Sequence, residues 1–268
     1  MASKLPCLYH SDMSVCAAKV RSALCEKSIP WEGVRLDLRA GDAQRPEYVR
    51  LNPNQVVPTL VDNGRIIIES NVILEYIEDR WPNTVNLRPV HPADIAMMRL
   101  WMKRLDDGVH AATGTVSTCI AFRHQFLARP PQALQAWLDN MADAERRTRV
   151  RAAIEHGMEA AQFKQAVQRF VKLLDDFEST LCTGVWLAGP DYSLADIAYS
   201  PYMIRLEHLG FDDLIAARPH VAAWAQRLYA QPGYVAGVHK FMDASYLALF
   251  ERERPAARQC INKIAAGV

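Results

Sequence analysis

Hydrophobic and polar positions follow two different periods along this chain. Over the first eighty residues, apolar runs of strand length interleave with helically spaced stretches; beyond Pro92 the helical spacing is nearly continuous, broken only by polar turns. Leu5 to Tyr9 is predicted as a strand with Pro6 at its start, where proline is tolerated. Ser14 to Ser28 is predicted as a helix, with Val15, Ala18, Val20, Ala23 and Leu24 over one broad face. Trp31 to Leu36 is a second strand and Gln44 to Leu51 a short helix. From Thr59 to Ile68, two apolar runs surround Asn63-Gly64, a pair suited to the positive φ angles of a two-residue hairpin. A helix over Ser70 to Arg80 closes the series. The order βαβ, α, ββ, α predicts a four-stranded mixed sheet with helices on both faces.

Asn83 to Pro92 carries Pro89 and Pro92 and has no helical period, which predicts a linker. The helices expected beyond it cover Met97 to His110, with Met97, Leu100, Trp101, Leu105 and Val109 near one face, then Ala133 to Met141 and Ala160 to Leu181. Ser193-Leu-Ala-Asp196 heads another in the manner of a capping box. Pro219 to Gln231 forms one more, ended by Pro232-Gly233. The fold class is therefore α/β followed by all-α: an α/β domain over 1–83, a linker over 84–92, an all-helical domain over 93–240 and a tail over 241–268.

Composition narrows the function classes. Lys and Arg number 31 against 30 Asp and Glu in 268 residues, so the chain lacks the basic footprint of a nucleic-acid partner. The longest stretch without a charged residue, Gly108 to Phe122, is shorter than the roughly 20 apolar residues of a membrane span and rich in Gly, Ser and Thr. No membrane partner is expected. The start of the chain carries no apolar signal core, which makes the cytoplasm the expected location. Six cysteines without a CxxC pair favour neither a disulfide framework nor zinc, and the eight histidines show no HExxH spacing, so no metal is expected. Neither GxGxxG nor GxxxxGK[ST] occurs, which removes the nucleotide-binding readings.

Four pieces of sequence coincide with this element order: Ser14-x-Cys16-x-x-Lys19-Val20-Arg21 opening the first helix, Asn52-Pro53 followed by Val57-Pro58-Thr59-Leu60, Glu69-Ser70 opening the third helix, and Ser193-Leu-Ala-Asp196 in the helical half. In this order and spacing the chain, from Leu5 to about Lys240, resembles the cytosolic glutathione S-transferase superfamily of the serine type. The resemblance implies a thioredoxin-like first domain, glutathione as cosubstrate, a small apolar and aromatic electrophile as second substrate, and a homodimer. The segment around Met98-Arg-Leu-Trp101 and the helical insertion from Ala128 to Gln168 are similar to the bacterial glutathione-dependent β-etherase branch, which cleaves lignin-type aryl ethers.

The resemblance assigns roles that the residues can carry physically. Ser14 would stand where unpaired N–H groups and the helix dipole favour an anion, and its hydroxyl would donate to the glutathione sulfur as the catalytic group. A thiol with pKa about 8.5 is about 3% ionised at pH 7, and lowering the pKa by about two units raises the thiolate population roughly 25-fold. The weaker nucleophilicity of a less basic thiolate takes back about 6- to 10-fold. Positioning of the second substrate must therefore supply most of the acceleration. Val57-Pro58, with a cis peptide, would offer the Val57 backbone to the cysteinyl unit as a short added strand. Glu69 would meet the ammonium of the γ-glutamyl group and Ser70 its carboxylate, while Gln55 would reach toward the glycyl end. Arg39 and Arg45 are both candidates for the glycyl carboxylate. Trp101, Arg104, Phe241, Tyr246 and Phe250 are expected around the second substrate.

Two rivals stand beside this reading. Cys16, also in the first turn of the helix, is a competing nucleophile for a glutathione-dependent thiol oxidoreductase. A scaffold or ligand-binding protein that keeps the fold without catalysis is the other.

Overall fold

A computed structural model of the protein describes residues 5–267. Its chain divides into two compact units, one made of the segment up to Lys103 with Leu181–Met203 and Ala223–Asp243, the other of Arg104–Thr180, Ile204–Ala222 and the segment from Ala244.

The first unit holds one four-stranded sheet. Its strands are β1 (Cys7–His10), β2 (Glu32–Arg35), β3 (Thr59–Asp62) and β4 (Arg65–Ile67), with helices α1 (Val15–Glu26), α2 (Pro46–Val49) and α3 (Ser70–Arg80) between and after them. The spatial order is β2-β1-β3-β4, with β1 parallel to β2 and antiparallel to β3, and β3 antiparallel to β4. The mixed sheet follows from the connections: α1 supplies the crossover that a parallel pair requires, and a two-residue turn joins β3 to β4. Asn63 and Gly64 take φ of 48° and 80° there, as the hairpin twist demands. This is the four-stranded mixed sheet expected from the element order, and the thioredoxin-like arrangement that the resemblance implies.

Every α1 residue expected in the core is buried, and so are Lys19, Arg21 and Ser22. The helix is enclosed on all sides rather than on one broad face. At its carboxyl end Lys27 donates to Glu78 of α3 at 2.8 Å and to the carbonyl of Val85 at 2.8 Å. Glu78 in turn accepts the Leu87 N–H at 3.1 Å. The 84–92 segment is thus held inside the first unit, and Leu87 accepts the Leu194 N–H as well.

Among the described residues the elements that follow are helices: α4 (Pro92–Arg104), α5 (His110–Ser117), α6 (Arg123–Leu127), α7 (Pro131–Asp139), α8 (Ala144–His156), α9 (Ala161–Leu181), α10 (Leu194–His208), α11 (Asp212–Ala216), α12 (Pro219–Tyr229), α13 (Pro232–Gly237) and α14 (Ala244–Ala265). Pro92, Pro131, Pro219 and Pro232 each open a helix, where a missing N–H costs nothing. On α9, Phe163, Val167, Phe170, Leu174 and Phe177 form one fully buried stripe at helical spacing. The helix expected over 97–110 is interrupted. Asp107 and Gly108 leave helical geometry within a wide turn over Leu105–Val109, Gly108 taking φ of 126°. Met97 and Leu100 are 44% and 57% exposed, so they belong to no core face. The segment from 241 contains a 22-residue helix, α14. Asp196 accepts both the N–H and the hydroxyl of Ser193, at 3.0 and 2.9 Å, and also the Leu187 N–H and Trp224 Nε1–H. The Asp196 side chain thus reaches back to Ser193 as a capping box would, with the Ser193 hydroxyl donating to it, in a fully buried position. Among the described residues no helix is long and apolar enough to cross a membrane.

Candidate active site

Strand register brings three of the expected pieces to one end of the sheet. β1 ends where β3 begins, since Tyr9 pairs with Thr59; β4 ends beside the same part of β3, since Leu60 pairs with Ile67. The loop leading to Ser14 leaves that end from β1, Val57-Pro58 enters it before β3, and Glu69-Ser70 leaves it after β4. Residues 14, 57–58 and 69–70, far apart in sequence, therefore share one end of the sheet.

Each position has its own local cause. Ser14 is the N-cap of α1 with φ of −75° and ψ of 117°, and its hydroxyl oxygen accepts the Ala17 N–H at 3.2 Å. That bond occupies a lone pair and leaves the O–H proton available for donation, the polarity a thiolate requires. The Ser14 N–H donates to the Ser11 carbonyl at 3.1 Å. Ala17 also belongs to a buried cluster with Ala43, Tyr48 and Val57, so the first turn of α1 and the residue before Pro58 share one small core.

The Val57-Pro58 bond is cis. Its loop is framed by two side chains: Tyr48 donates to the Val56 carbonyl at 2.6 Å and bonds Thr59 Oγ1 at 2.8 Å, while Asn52 Nδ2 donates to the same two oxygens at 2.9 and 3.1 Å. Burial pushes the Tyr48 hydroxyl pKa up, which keeps it a donor at neutral pH. Gln55 takes φ of 56° and donates its N–H to the Asn52 carbonyl at 3.1 Å.

Glu69 is exposed, takes φ of 66° and accepts from Asn54 Nδ2 at 3.2 Å, which ties the Gln55 loop to the start of α3. Ser70 is the first residue of that helix and is buried. The next residue, Asn71, accepts from the buried Lys19 ammonium at 2.6 Å and donates to the Met102 carbonyl at 2.9 Å. Lys19, Asn52, Tyr48 and Asn71 thus hold this end in shape. The Lys19-Val20-Arg21 and Asn52-Pro53 motifs flagged two of them in the sequence, but nothing local marked Tyr48 or Asn71.

The other candidates have partners of their own. Arg45 pairs with Asp42 at 2.8 Å, and the backbone N–H of Arg39 caps onto Asp37. Cys16 Sγ lies 3.5 Å from the Tyr202 hydroxyl. Of the aromatic residues expected around the second substrate, Trp101 is buried and edge-on to Tyr199, Phe241 stacks on Trp31, and Phe250 is 1% exposed against Phe122 and His208. Arg104 pairs with Asp176 at 3.0 Å. Trp101 and Phe250 are core residues, because aromatic side chains at helical spacing find more contact area inside than in an open cleft.

The chemistry of this end of the sheet suits glutathione. It offers a capped helix N-terminus with a hydroxyl donor, backbone beside the Val57-Pro58 bond, a second helix N-terminus with a buried serine, and an exposed carboxylate for an ammonium group.

Comparison with known proteins places the chain. The model of the glutathione S-transferase N-terminal domain matches residues 13–80 and that of the C-terminal domain residues 146–232, together more than half of the chain. Glutathione S-transferase F13 of Arabidopsis thaliana is 29% identical over 233 residues, covering 85% of this chain and 92% of that protein. The tetrachloro-p-hydroquinone reductive dehalogenase of Sphingobium chlorophenolicum is 28% identical over 241 residues, 85% of this chain and 93% of that protein. The crystal structure of the β-etherase LigF from Sphingobium sp. strain SYK-6 superposes with a TM-score of 0.81 at 25% identity, covering 88% of this chain and all of that one. The enzymes of this family take glutathione as cosubstrate. With its thioredoxin-like sheet, its helical remainder and both family domains in order, the chain belongs to the glutathione S-transferase family.

Proposed function

We propose that this enzyme holds bound glutathione as a thiolate against the Ser14 hydroxyl and directs it onto an apolar aromatic substrate, the reaction being cleavage of a β-aryl ether. The observation that carries this reading is the convergence of Ser14, Val57-Pro58 and Glu69-Ser70 on one end of the sheet. In this reading residues 1–83 form the glutathione-binding module and 93–240 the helical one, and the working enzyme is a cytoplasmic homodimer. Gln55, Val57, Pro58, Glu69 and Ser70 bind the tripeptide, and the Ser14 hydroxyl donates a hydrogen bond to the sulfur.

The reaction is a displacement without net redox change. A C–S bond forms at the carbon bearing the aryloxy group, the C–O bond breaks, and the aryloxide leaves with the electron pair and takes up a proton from solvent. The products are a glutathione thioether and a phenol. The likeness to LigF, named as a β-etherase, supports the leaving group; the likeness to a dehalogenase named for a chlorinated hydroquinone supports an aromatic substrate of a second kind.

A glutathione titration of wild type and Ser14→Ala, following heat of binding and the ultraviolet absorbance of the thiolate, tests the first half. The expected result is a thiolate signal that depends on Ser14. Absence of binding at millimolar glutathione would leave the ligand-binding scaffold reading ahead. Phenol release from a β-aryl ether, compared with halide release from a halogenated hydroquinone, tests the second half. Phenol release no faster than in buffer would rule out the etherase reading.

One observation favours weighing a second group. Cys16 sits in the first turn of α1 beside the Tyr202 hydroxyl, and a thiol at a helix N-terminus can react as thiolate. Turnover that survives Ser14→Ala and vanishes in Cys16→Ala would assign the chemistry to the thiol.

A further inference from the structure

Arg21 has no solvent exposure, and its donors go to carbonyl oxygens and a ring nitrogen rather than to a carboxylate. Nη1 donates to the Ser11 carbonyl at 3.2 Å and lies 3.3 Å from His10 Nδ1. Nη2 donates to the Asp12 carbonyl at 2.9 Å and Nε to the Gly237 carbonyl at 2.8 Å. The Phe241 ring covers the guanidinium face with its centroid 4.1 Å away, and that ring also stacks on Trp31 and meets His10 edge-on. Burial draws the Arg21 pKa down to about 10, with Asp12 partly offsetting it. A buried cation held by neutral acceptors is a costly arrangement to maintain for stability alone.

The acceptors have a common purpose in space. The Ser11 carbonyl takes two donors, Arg21 Nη1 and the Ser14 N–H at 3.1 Å. The planar fork of Arg21 thus clamps residues 10–12, the turn between β1 and α1, and does so from a helix position seven residues beyond Ser14. Its Nε–H and one face of the guanidinium are taken by residues 237 and 241, more than two hundred positions away.

We propose that Arg21 is a positioning residue for glutathione ionisation: acting through the Ser11 carbonyl it fixes the direction of the Ser14 hydroxyl, and the 237–241 segment holds Arg21 in place. The inference rests on the reading that Ser14 contacts the glutathione sulfur. Lysine cannot replace this clamp, because a point ammonium does not reproduce the planar fork of donors.

The test follows the thiolate absorbance of bound glutathione against pH in wild type, Ser14→Ala, Arg21→Lys and the double variant, with calorimetric binding and thermal unfolding on each. Ser14→Ala is expected to raise the bound-thiol pKa by about two units, a roughly hundredfold change in the thiolate-to-thiol ratio. Arg21→Lys is expected to raise it by about half a unit, roughly threefold, while changing the glutathione Kd by less than about twofold. In the Ser14→Ala background Arg21→Lys is expected to add no further shift, since the group it orients is gone.

A folded Arg21→Lys variant with the wild-type thiol pKa overturns the proposal, and so does an equal shift in the Ser14→Ala background, which would mark a general loosening. An unchanged pKa in Ser14→Ala alone overturns the Ser14 reading instead, and the proposal with it. If Arg21→Lys does not fold, Phe241→Leu, which removes the ring over the guanidinium from a half-buried site, carries the same pair of measurements. A smaller shift present only with Ser14 supports the clamp, and no shift refutes it.

Discussion

Replacing Lys27 by methionine should destabilise the protein severely without touching its chemistry. The ammonium side chain is fully buried and the Glu78 carboxylate 6% exposed, 2.8 Å apart. Methionine fills most of the volume but leaves Glu78 charged in an apolar setting and the Val85 carbonyl without this donor. Removing one partner of such a buried pair costs about 3 to 5 kcal/mol. At roughly 2 to 4 °C per kcal/mol for a chain of this size, the midpoint of thermal unfolding should fall by about 10 °C. Lys27→Met/Glu78→Leu should be milder than Lys27→Met, because no unpaired charge remains and only the Leu87 N–H and Val85 carbonyl lose bonds, about 1 to 2 kcal/mol. An exposed control, Arg45→Met, removes a pair whose arginine is 67% exposed and should cost no more than about 0.5 kcal/mol. Lys27 lies some 20 Å along α1 from Ser14 at the helical rise per residue, so kcat/KM at a temperature where the variant is folded should match wild type. Urea unfolding with a fixed m-value gives the energies. A loss below about 1 kcal/mol for Lys27→Met, or a double variant as damaged as the sum of the singles, would refute the buried-pair argument.

Three further outcomes are expected. Tyr48→Phe removes the hydroxyl bonded to Val56 and Thr59; it should cost about 1 kcal/mol and weaken glutathione binding a few-fold by calorimetry, and unchanged binding would detach the Val57 loop from the cosubstrate. In Gly237→Ala, a Cβ would stand 2.6 Å from the Arg21 carbonyl carbon and Ser22 Cα, so α13 must shift off α1; about 1 to 3 kcal/mol should be lost in urea unfolding, and a neutral result would mean that the two helices do not meet this closely. His10 and His208 are both held down to about 4, by burial first and then by neighbouring arginines, so the unfolded chain binds protons at these sites from about pH 6.5 downward while the folded chain does not. The stability they contribute is complete above pH 6.5 and lost toward pH 4. Asp196, raised to about 6 by burial, keeps a proton when folded that it releases when unfolded and offsets one of the two; stability should then fall by about 1 kcal/mol per pH unit between pH 6 and 4, and a flat or rising curve would contradict the burial of the histidines.

The elements legible in the sequence are those whose cause is local. Asn63-Gly64 forms a hairpin because few other pairs accept two positive φ angles in succession, Ser14 and Ser193 cap helices through atoms three residues away, and α3 begins and ends where its pattern does. The order of strands and helices then restricts the sheet to a few topologies, and the motifs along it are specific enough to carry the family. The break at Gly108 and the exposure of Met97 and Leu100 were hidden, because a periodic apolar pattern does not say whether a partner surface exists to meet it. Burial of Lys19 and Arg21 was hidden for a stronger reason. A charged side chain is stable inside only when distant groups supply its acceptors, here Asn71 for one and the carbonyls of Ser11, Asp12 and Gly237 for the other. Residue type and spacing determined which groups the chain could bring to the glutathione end of the sheet; the tertiary structure alone decided what holds them there, because acceptors contributed from up to 216 positions away cannot be read from the neighbours of any one residue.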